Sequence, residues 1–443
     1  MKLWFLTMLF CCSQIAAQKI GFVLPEQVKK ETIPFQFINN LIFIPVTLNG
    51  VQLTFLLDTG VSETLLFSLE NKEVNFNDVE KMTYSGLGEN IDVQGLKSIN
   101  NKVIAGKQFT DDRHTVYMIL NEDFNFSSHV GIPVNGILGY YFFKNHPVEI
   151  DYASRKITVY GDQKDVQRKA RKYSPFPITL EYNKPYVMAN VQMNGEKENS
   201  KLLVDLGNSD AVWLFPSLIK DFVYNRPNIE DFLGRGFNGD IYGKRSRIKK
   251  FFLGNFKFEK PVTAMPDEYS IQNVNMAKDR KGSVGSEIMK RFSVLFDYQN
   301  KKMYLKKNRF FRDPFLFNMS GLDFMHEGSV WVNEFVQVEN PVNSTEKKDD
   351  IPVVSNAFQY KMVMKPIFAV AGVRRDSPAF KAGIKKGDVL LSVNRTETTK
   401  LTLQKLNDLM SHNEGKMYNF TVKRKGETQN FSFRLEDPIP YQE

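Results

Sequence analysis

Apolar and polar positions alternate in short runs through most of this chain, and the runs have the length of strands rather than helices. Residues 42–48 (Ile-Phe-Ile-Pro-Val-Thr-Leu), 156–160 (Lys-Ile-Thr-Val-Tyr) and 186–191 (Tyr-Val-Met-Ala-Asn-Val) are rich in β-branched and aromatic side chains and are punctuated by Gly, Pro or Asn. Strands joined by tight turns have this pattern. Helical spacing is confined to short pieces such as residues 286–292, and to residues 401–410, whose apolar side chains fall on one face. A mainly β protein is predicted.

The pattern also repeats. Leu53-Thr-Phe-Leu-Leu-Asp58-Thr59-Gly60-Val61-Ser62 returns as Lys201-Leu-Leu-Val-Asp205-Leu206-Gly207-Asn208-Ser209. Each copy follows a polar turn, Leu48-Asn49-Gly50 or Met193-Asn194-Gly195, as in a β-hairpin. Ile137-Leu138-Gly139 ends 81 residues after Asp58, and Ser283-Val284-Gly285 ends 80 after Asp205. Asp151-Tyr152 and Asp297-Tyr298 begin 93 and 92 residues after the same aspartates. Landmarks that stay in register to within one residue indicate duplication. Two lobes are expected, at 18–165 and 166–308, ahead of a different unit at 309–443.

Composition changes this picture little. A chain of 443 residues needs more than one core, and 42% hydrophobic residues with 37 phenylalanines can fill several. The net charge of +9 comes from 59 basic residues interleaved with 50 acidic ones, which reads as solvated surface without nucleic-acid recognition. Residues 1–17 place Met1-Lys2 before an apolar run and end on Ala16-Ala17, the form of a secretory leader. No later run approaches the ~20 apolar residues of a transmembrane helix. Cys11 and Cys12 both lie in the leader, so the mature chain has no disulfide and no cysteine ligand. The five histidines lack paired ligand spacing, and there is no Gly-x-Ser-x-Gly elbow or phosphate loop. No metal and no cofactor are expected. The mature protein is expected to be a soluble monomer that has crossed an inner membrane into the periplasm or the medium.

At the two aspartate motifs the sequence resembles the retropepsin and pepsin superfamily of aspartic peptidases, especially secreted bacterial proteins that join two retropepsin-like lobes to a PDZ domain. The resemblance implies two acid-protease β-barrel lobes in tandem, with Asp58 and Asp205 as the catalytic pair. It makes Thr59, Gly60, Ser62, Gly207 and Ser209 supporting loop residues, the serines being placed to hydrogen-bond the carboxylates. Two carboxylates held within hydrogen-bond distance share one proton and titrate as a unit, giving one acid and one base. Such a pair can activate water against a peptide carbonyl directly, without an acyl-enzyme. Glycine-bearing segments 84–88 and 234–239 lie in matching register, so Gly86, Gly88, Gly236 and Phe237 are candidates for flaps over a peptide substrate; plain surface hairpins would show the same glycines. Two departures stand out. Leu206 replaces the usual second-loop hydroxyl residue, and Ser283 takes an apolar place before Gly285.

Beyond Lys307 the repeat ends. Ser377-Pro378-Ala379-Phe380-Lys381-Ala382-Gly383-Ile384, followed by Gly387-Asp388-Val389-Leu390-Leu391-Ser392-Val393-Asn394, resembles a PDZ domain. That resemblance implies a peptide groove beside the 401–410 helix, with Gly321, Leu322, Asp323 and Phe324 as the loop whose N–H groups would take the carboxylate of a C-terminal peptide ligand. A polar insertion at about 340–356 separates this loop from the rest. Two functions follow: an aspartic-type endopeptidase acting on peptides or proteins, or a catalytically degenerate PDZ scaffold that only binds them.

Overall fold

Strands Leu41–Leu48 and Val51–Leu57 form a hairpin with Phe43 opposite Leu56. Val51–Leu57 runs parallel to Gly136–Leu138, which lies antiparallel to Thr64–Leu66. Thr64–Leu66 runs parallel to Phe109–Ile119, and Phe109–Ile119 pairs with Val93–Ala105. Val93–Ala105 then returns to Leu41–Leu48 through Val46 and Ala105. Six strands thereby close into a barrel, and alternate side chains such as Val46, Leu48, Val103, Ala105 and Phe109 point into its core. The computed structural model describes residues 20–84, 93–119, 126–193, 195–219, 222, 225–236, 239–271, 276–338 and 357–442.

The second lobe repeats these pairings. Lys184–Gln192 pairs with Lys197–Asp205, which runs parallel to Arg280–Gly285. Val212–Leu214 lies antiparallel to Arg280–Gly285 and parallel to Val262–Pro266. The return to Lys184–Gln192 comes through Lys250–Leu253. Here each long strand of the first lobe is split in two, as Gly239–Arg247 with Lys250–Leu253 and Phe256–Glu259 with Val262–Pro266. Pro261, which has no amide to donate, and Lys260, at φ 52°, account for the second break.

Between the lobes runs a six-stranded sheet. At its centre Val148–Asp151 of the first lobe pairs antiparallel with Phe292–Asp297 of the second, Ile150 opposite Val294. Lys156–Tyr160 and Lys30–Pro34 extend it on one side, Lys302–Lys307 and Ser174–Pro177 on the other. The order is the same read outward from either central strand, so a pseudo-twofold axis passes between them. Both lobes share one buried apolar cluster, which includes Ile150, Val294 and Phe296.

The C-terminal module has its own core, built on Leu322, Phe324, Phe368, Val370, Leu406 and Phe420. Its sheet begins with Leu322–Val338, which lies at the edge and pairs with Ala357–Val373. Ser377 caps the Pro378–Ala382 helix, and Gly383 ends it at φ 95°. Thr402 caps the Leu403–Ser411 helix, which buries Leu403, Leu406 and Met410. The polar insertion at 340–356 lies outside the described residues.

Candidate active site

Each aspartate stands where its strand leaves the ladder. Asp58 N–H donates to Leu138 O at 3.0 Å, and Asp205 pairs with Gly285. The chain then turns across the end of the apolar-then-Gly segment. A Cβ at Gly139 would overlap Val61 O, and one at Gly285 would overlap Asp210 O. Close packing under each loop therefore requires glycine at both places.

The turns bring the carboxylates together. Asp58 is buried, and its Oδ1 accepts from Gly60 N at 2.6 Å and from Gly207 N, in the other lobe, at 3.0 Å. A Cβ built on Gly60 would stand 2.8 Å from Asp205 Oδ1 and 3.1 Å from Asp58 Oδ1, so both carboxylates crowd one glycine. Thr59, 1% exposed, locks the lobes: its Oγ1 donates to Val204 O at 2.6 Å and accepts from Leu206 N at 3.1 Å. The reciprocal side chain is Leu206, fully buried in the apolar core. Only one half of a symmetric hydroxyl grip is present, while the Leu206 carbonyl accepts from Ser286 Oγ at 3.0 Å.

Charge around the pair is asymmetric as well. Arg280, 9% exposed, donates through Nη2 to Ser283 Oγ at 2.8 Å and through Nε to Gly282 O at 3.0 Å. Ser283 therefore departs from the apolar pattern because it carries this arginine. Burial, then the charge of Asp205, pushes the Asp58 carboxyl up to about 7. Burial raises Asp205 too, but the cations of Arg280 and Lys184 oppose it. Arg280 and Lys184 favour the ionised form of Asp205, and burial with the neighbouring charge favours the protonated form of Asp58.

Other site residues land in varied places. Ser62 Oγ donates to Tyr182 O at 2.7 Å rather than to a carboxylate. Among the described residues Ser209 Oγ makes no hydrogen bond; its carbonyl accepts from Asn40 Nδ2 at 3.0 Å. The serines thus mark where each lobe's hairpin turn, Asn39-Asn40 or Tyr182-Asn183, crosses to the opposite aspartate loop. Gly86, Gly88 and Phe237 lie outside the described residues, but both hairpin stems are in place, with Tyr84 opposite Val93 and Gly236 opposite Gly239. Arg245 joins the second stem to the aspartate loop through Asp231, at 2.8 Å, and Asp210, at 2.5 Å.

The C-terminal carboxylate loop differs from expectation. Gly321 N donates to Asn318 Oδ1 and Leu322 N to Ser320 Oγ, both at 3.0 Å, so these two N–H groups are already satisfied by the chain's own side chains. Asp323 faces His129 of the first lobe at 3.9 Å. Nearby, Asn39 N donates to Gln404 Oε1 at 2.7 Å, and Gly131 packs under Leu403. The first lobe therefore stands against both the Leu322–Val338 strand and the Leu403–Ser411 helix. Sequence spacing also missed a buried network in that lobe: His114, 1% exposed, bridges Asp111 Oδ2 at 2.7 Å and Thr64 Oγ1 at 2.6 Å. Because its three members come from two strands that only the barrel brings together, no local motif announces it.

Residues 329–435 match the family described as PDZ domain, so the C-terminal module is a PDZ domain. No curated protein matches the chain. Among solved structures it is similar to the aspartic proteinase from Irpex lacteus, at 12% identity and a TM-score of 0.42, over 64% of this chain and 99% of that one.

Proposed function

We propose that the chain is an aspartic-type endopeptidase in which Asp58 and Asp205 activate water against a peptide bond. The observation that supports this best is the meeting of the two carboxylates across the lobe boundary, with Gly207 N–H of one lobe bonded to Asp58 of the other. Asp205, held ionised by its cationic neighbours, would take a proton from the attacking water. Asp58, protonated up to about pH 7, would lend its proton to the scissile carbonyl oxygen and recover it as the tetrahedral intermediate collapses, while Asp205 passes the proton taken from water to the leaving amine. The leader-like residues 1–17 fit work in the periplasm or outside the cell. The PDZ domain would dock peptide by adding a strand along Leu322–Val338 beyond the stretch at Asp323 that the first lobe covers. With Gly321 and Leu322 N–H taken, an internal segment fits this edge better than a terminal carboxylate.

The scaffold reading draws on one feature, the missing hydroxyl at Leu206. One supporting hydrogen bond is commonly worth about 1 kcal/mol, and Thr59 keeps the other half of the grip. Incubating the purified protein with a mixed peptide library from pH 3 to 8 tests the proposal: new termini should appear, whereas a folded protein that cuts nothing at any pH favours the scaffold.

A second expectation concerns Arg280. Arg280→Met removes a positive charge beside Asp205, so the base becomes harder to ionise. The acidic limb of the kcat/KM profile should move to higher pH by about one unit, on the scale of a nearby opposite charge. An unmoved limb would separate Arg280 from the chemistry.

A further inference from the structure

Taking the dyad as a peptidase site, we infer that Lys184 is a substrate-binding residue whose ammonium takes the carboxylate of a glutamate or aspartate beside the scissile bond. Its position follows from strand register. The Tyr182-Asn183 turn, at φ 50° and 61°, starts a strand in which Tyr186 lies opposite Leu203. Two residues back along that register, Lys184 comes opposite Asp205, on the same face of the hairpin. The first lobe has the same construction: Phe43 lies opposite Leu56, and the place facing Asp58 is filled by Leu41. A leucine satisfies the fold at one copy of this position, so the lysine at the other answers to something besides folding.

Lys184 feels the charges of Asp58, Asp205 and Arg280 but, among the described residues, has no contact ion pair. It is half-buried, yet among the described residues it makes no hydrogen bond and no ion pair. Glu181, the acid nearest in sequence, is bound by Lys201 at 2.5 Å. Leaving an ammonium partly desolvated and unpaired is costly, and the turn that carries it is fastened to the first aspartate loop by Ser62 Oγ, 2.7 Å from Tyr182 O. Arg280 is less suited to the role, because it is 9% exposed, is tied through Nε to Gly282 O and through Nη2 to Ser283 Oγ, and has its Cζ 5.2 Å from the Phe215 ring centroid.

Counting charge leads to the same ligand. With one proton shared, the two carboxylates carry a single negative charge against the two positive charges of Arg280 and Lys184. An anionic group arriving next to the reacting carbonyl neutralises the excess and gives Lys184 a charge-assisted hydrogen bond. Burial depresses the ammonium's proton affinity, and the bound carboxylate would restore it.

The test pairs turnover with binding. Cut sites would first be mapped by mass spectrometry in a proteome-derived peptide library. Matched peptides with Glu or Gln at each position flanking the cut would then be compared. Glu should be preferred at one position by roughly 10- to 100-fold in kcat/KM, the range of a hydrogen bond to a charged group. Lys184→Gln should bring that ratio to about one, and Lys184→Arg should keep most of it. A Glu/Gln ratio near one in the wild type, or one that survives in a folded Lys184→Gln protein, overturns the assignment, even if the pH profile moves. Calorimetry with the same peptides, their scissile bond replaced by a hydroxyethylene group, gives a readout independent of catalysis. Should the protein cleave nothing, a hydroxyethylene peptide set with Glu or Gln at each position beside the isostere takes their place: tighter binding of a Glu peptide that disappears in Lys184→Gln would uphold Lys184 as the anion-binding residue while the peptidase reading falls, and equal binding of every Glu and Gln pair would overturn it.

Discussion

Asp58→Asn is expected to abolish hydrolysis and, at neutral pH, to make the protein more stable. Loss of a positioned acid or base commonly costs about 10²- to 10⁴-fold in rate, and because the two carboxylates act as a unit, Asp205→Asn should fall as far. The stability effect follows from the sign of the titration. Asp58 rises from an ordinary 3.8 to about 7 in the folded protein. Below the ordinary value both folded and unfolded chains hold the proton, and the site's contribution to stability is intact. As pH climbs, the unfolded chain ionises first, so stability drains away until the folded carboxyl itself ionises near 7. By linkage the loss amounts to at most about 4 kcal/mol. Asparagine cannot ionise, yet its Oδ1 can still accept from Gly60 and Gly207 and its amide can donate to Asp205. Thermal melts should therefore show the variant several degrees above the wild type at pH 8 and level with it at pH 4. An equal gap at both pH values would contradict a shared, buried proton.

The second large effect is expected at Thr59. Thr59→Val keeps the side chain's shape but strands two buried backbone groups of the opposite lobe, Val204 O and Leu206 N. At about 1–3 kcal/mol for each unsatisfied group, the folded protein should lose roughly 2–6 kcal/mol. The damage falls at the boundary between lobes, so turnover should drop with it, by at least about tenfold if the carboxylates drift apart by a fraction of their hydrogen-bond distance. Thr59→Ser, which retains the hydroxyl, should recover most of both. Denaturant midpoints for the three proteins decide the matter: a loss under 1 kcal/mol for the valine variant would show that the hydroxyl contributes little. Leu206 explains why so much rests on this one side chain, since no second hydroxyl shares the task.

The short strands were legible because alternation survives folding. The predicted strand at 156–160 is the observed Lys156–Tyr160, and those at 42–48 and 186–191 fall inside Leu41–Leu48 and Lys184–Gln192. Helix 401–410 became Leu403–Ser411 once Thr402 took the cap. The helix expected at 286–292 stops at Met289, because Phe292 begins the strand Phe292–Asp297, which pairs from Ser293 onward with Val148–Asp151 of the first lobe. Its local spacing carries no trace of that partner.

The sequence by itself determined the duplication, the two aspartate turns with their glycines and the C-terminal domain, since each is written in residues close together in the chain. Tertiary structure alone decided which groups share the site. Thr59 reaching Val204 and Gly207 bonding Asp58 join residues from different lobes, and the hairpin register, extended two residues from Tyr186 and Leu203, brings Lys184 to Asp205. The expected roles of Ser62, Ser209, Gly321 and Leu322 changed for the same reason: hydrogen bonds go to the nearest suitable partner in space, and barrel closure and lobe docking determine which partner that is.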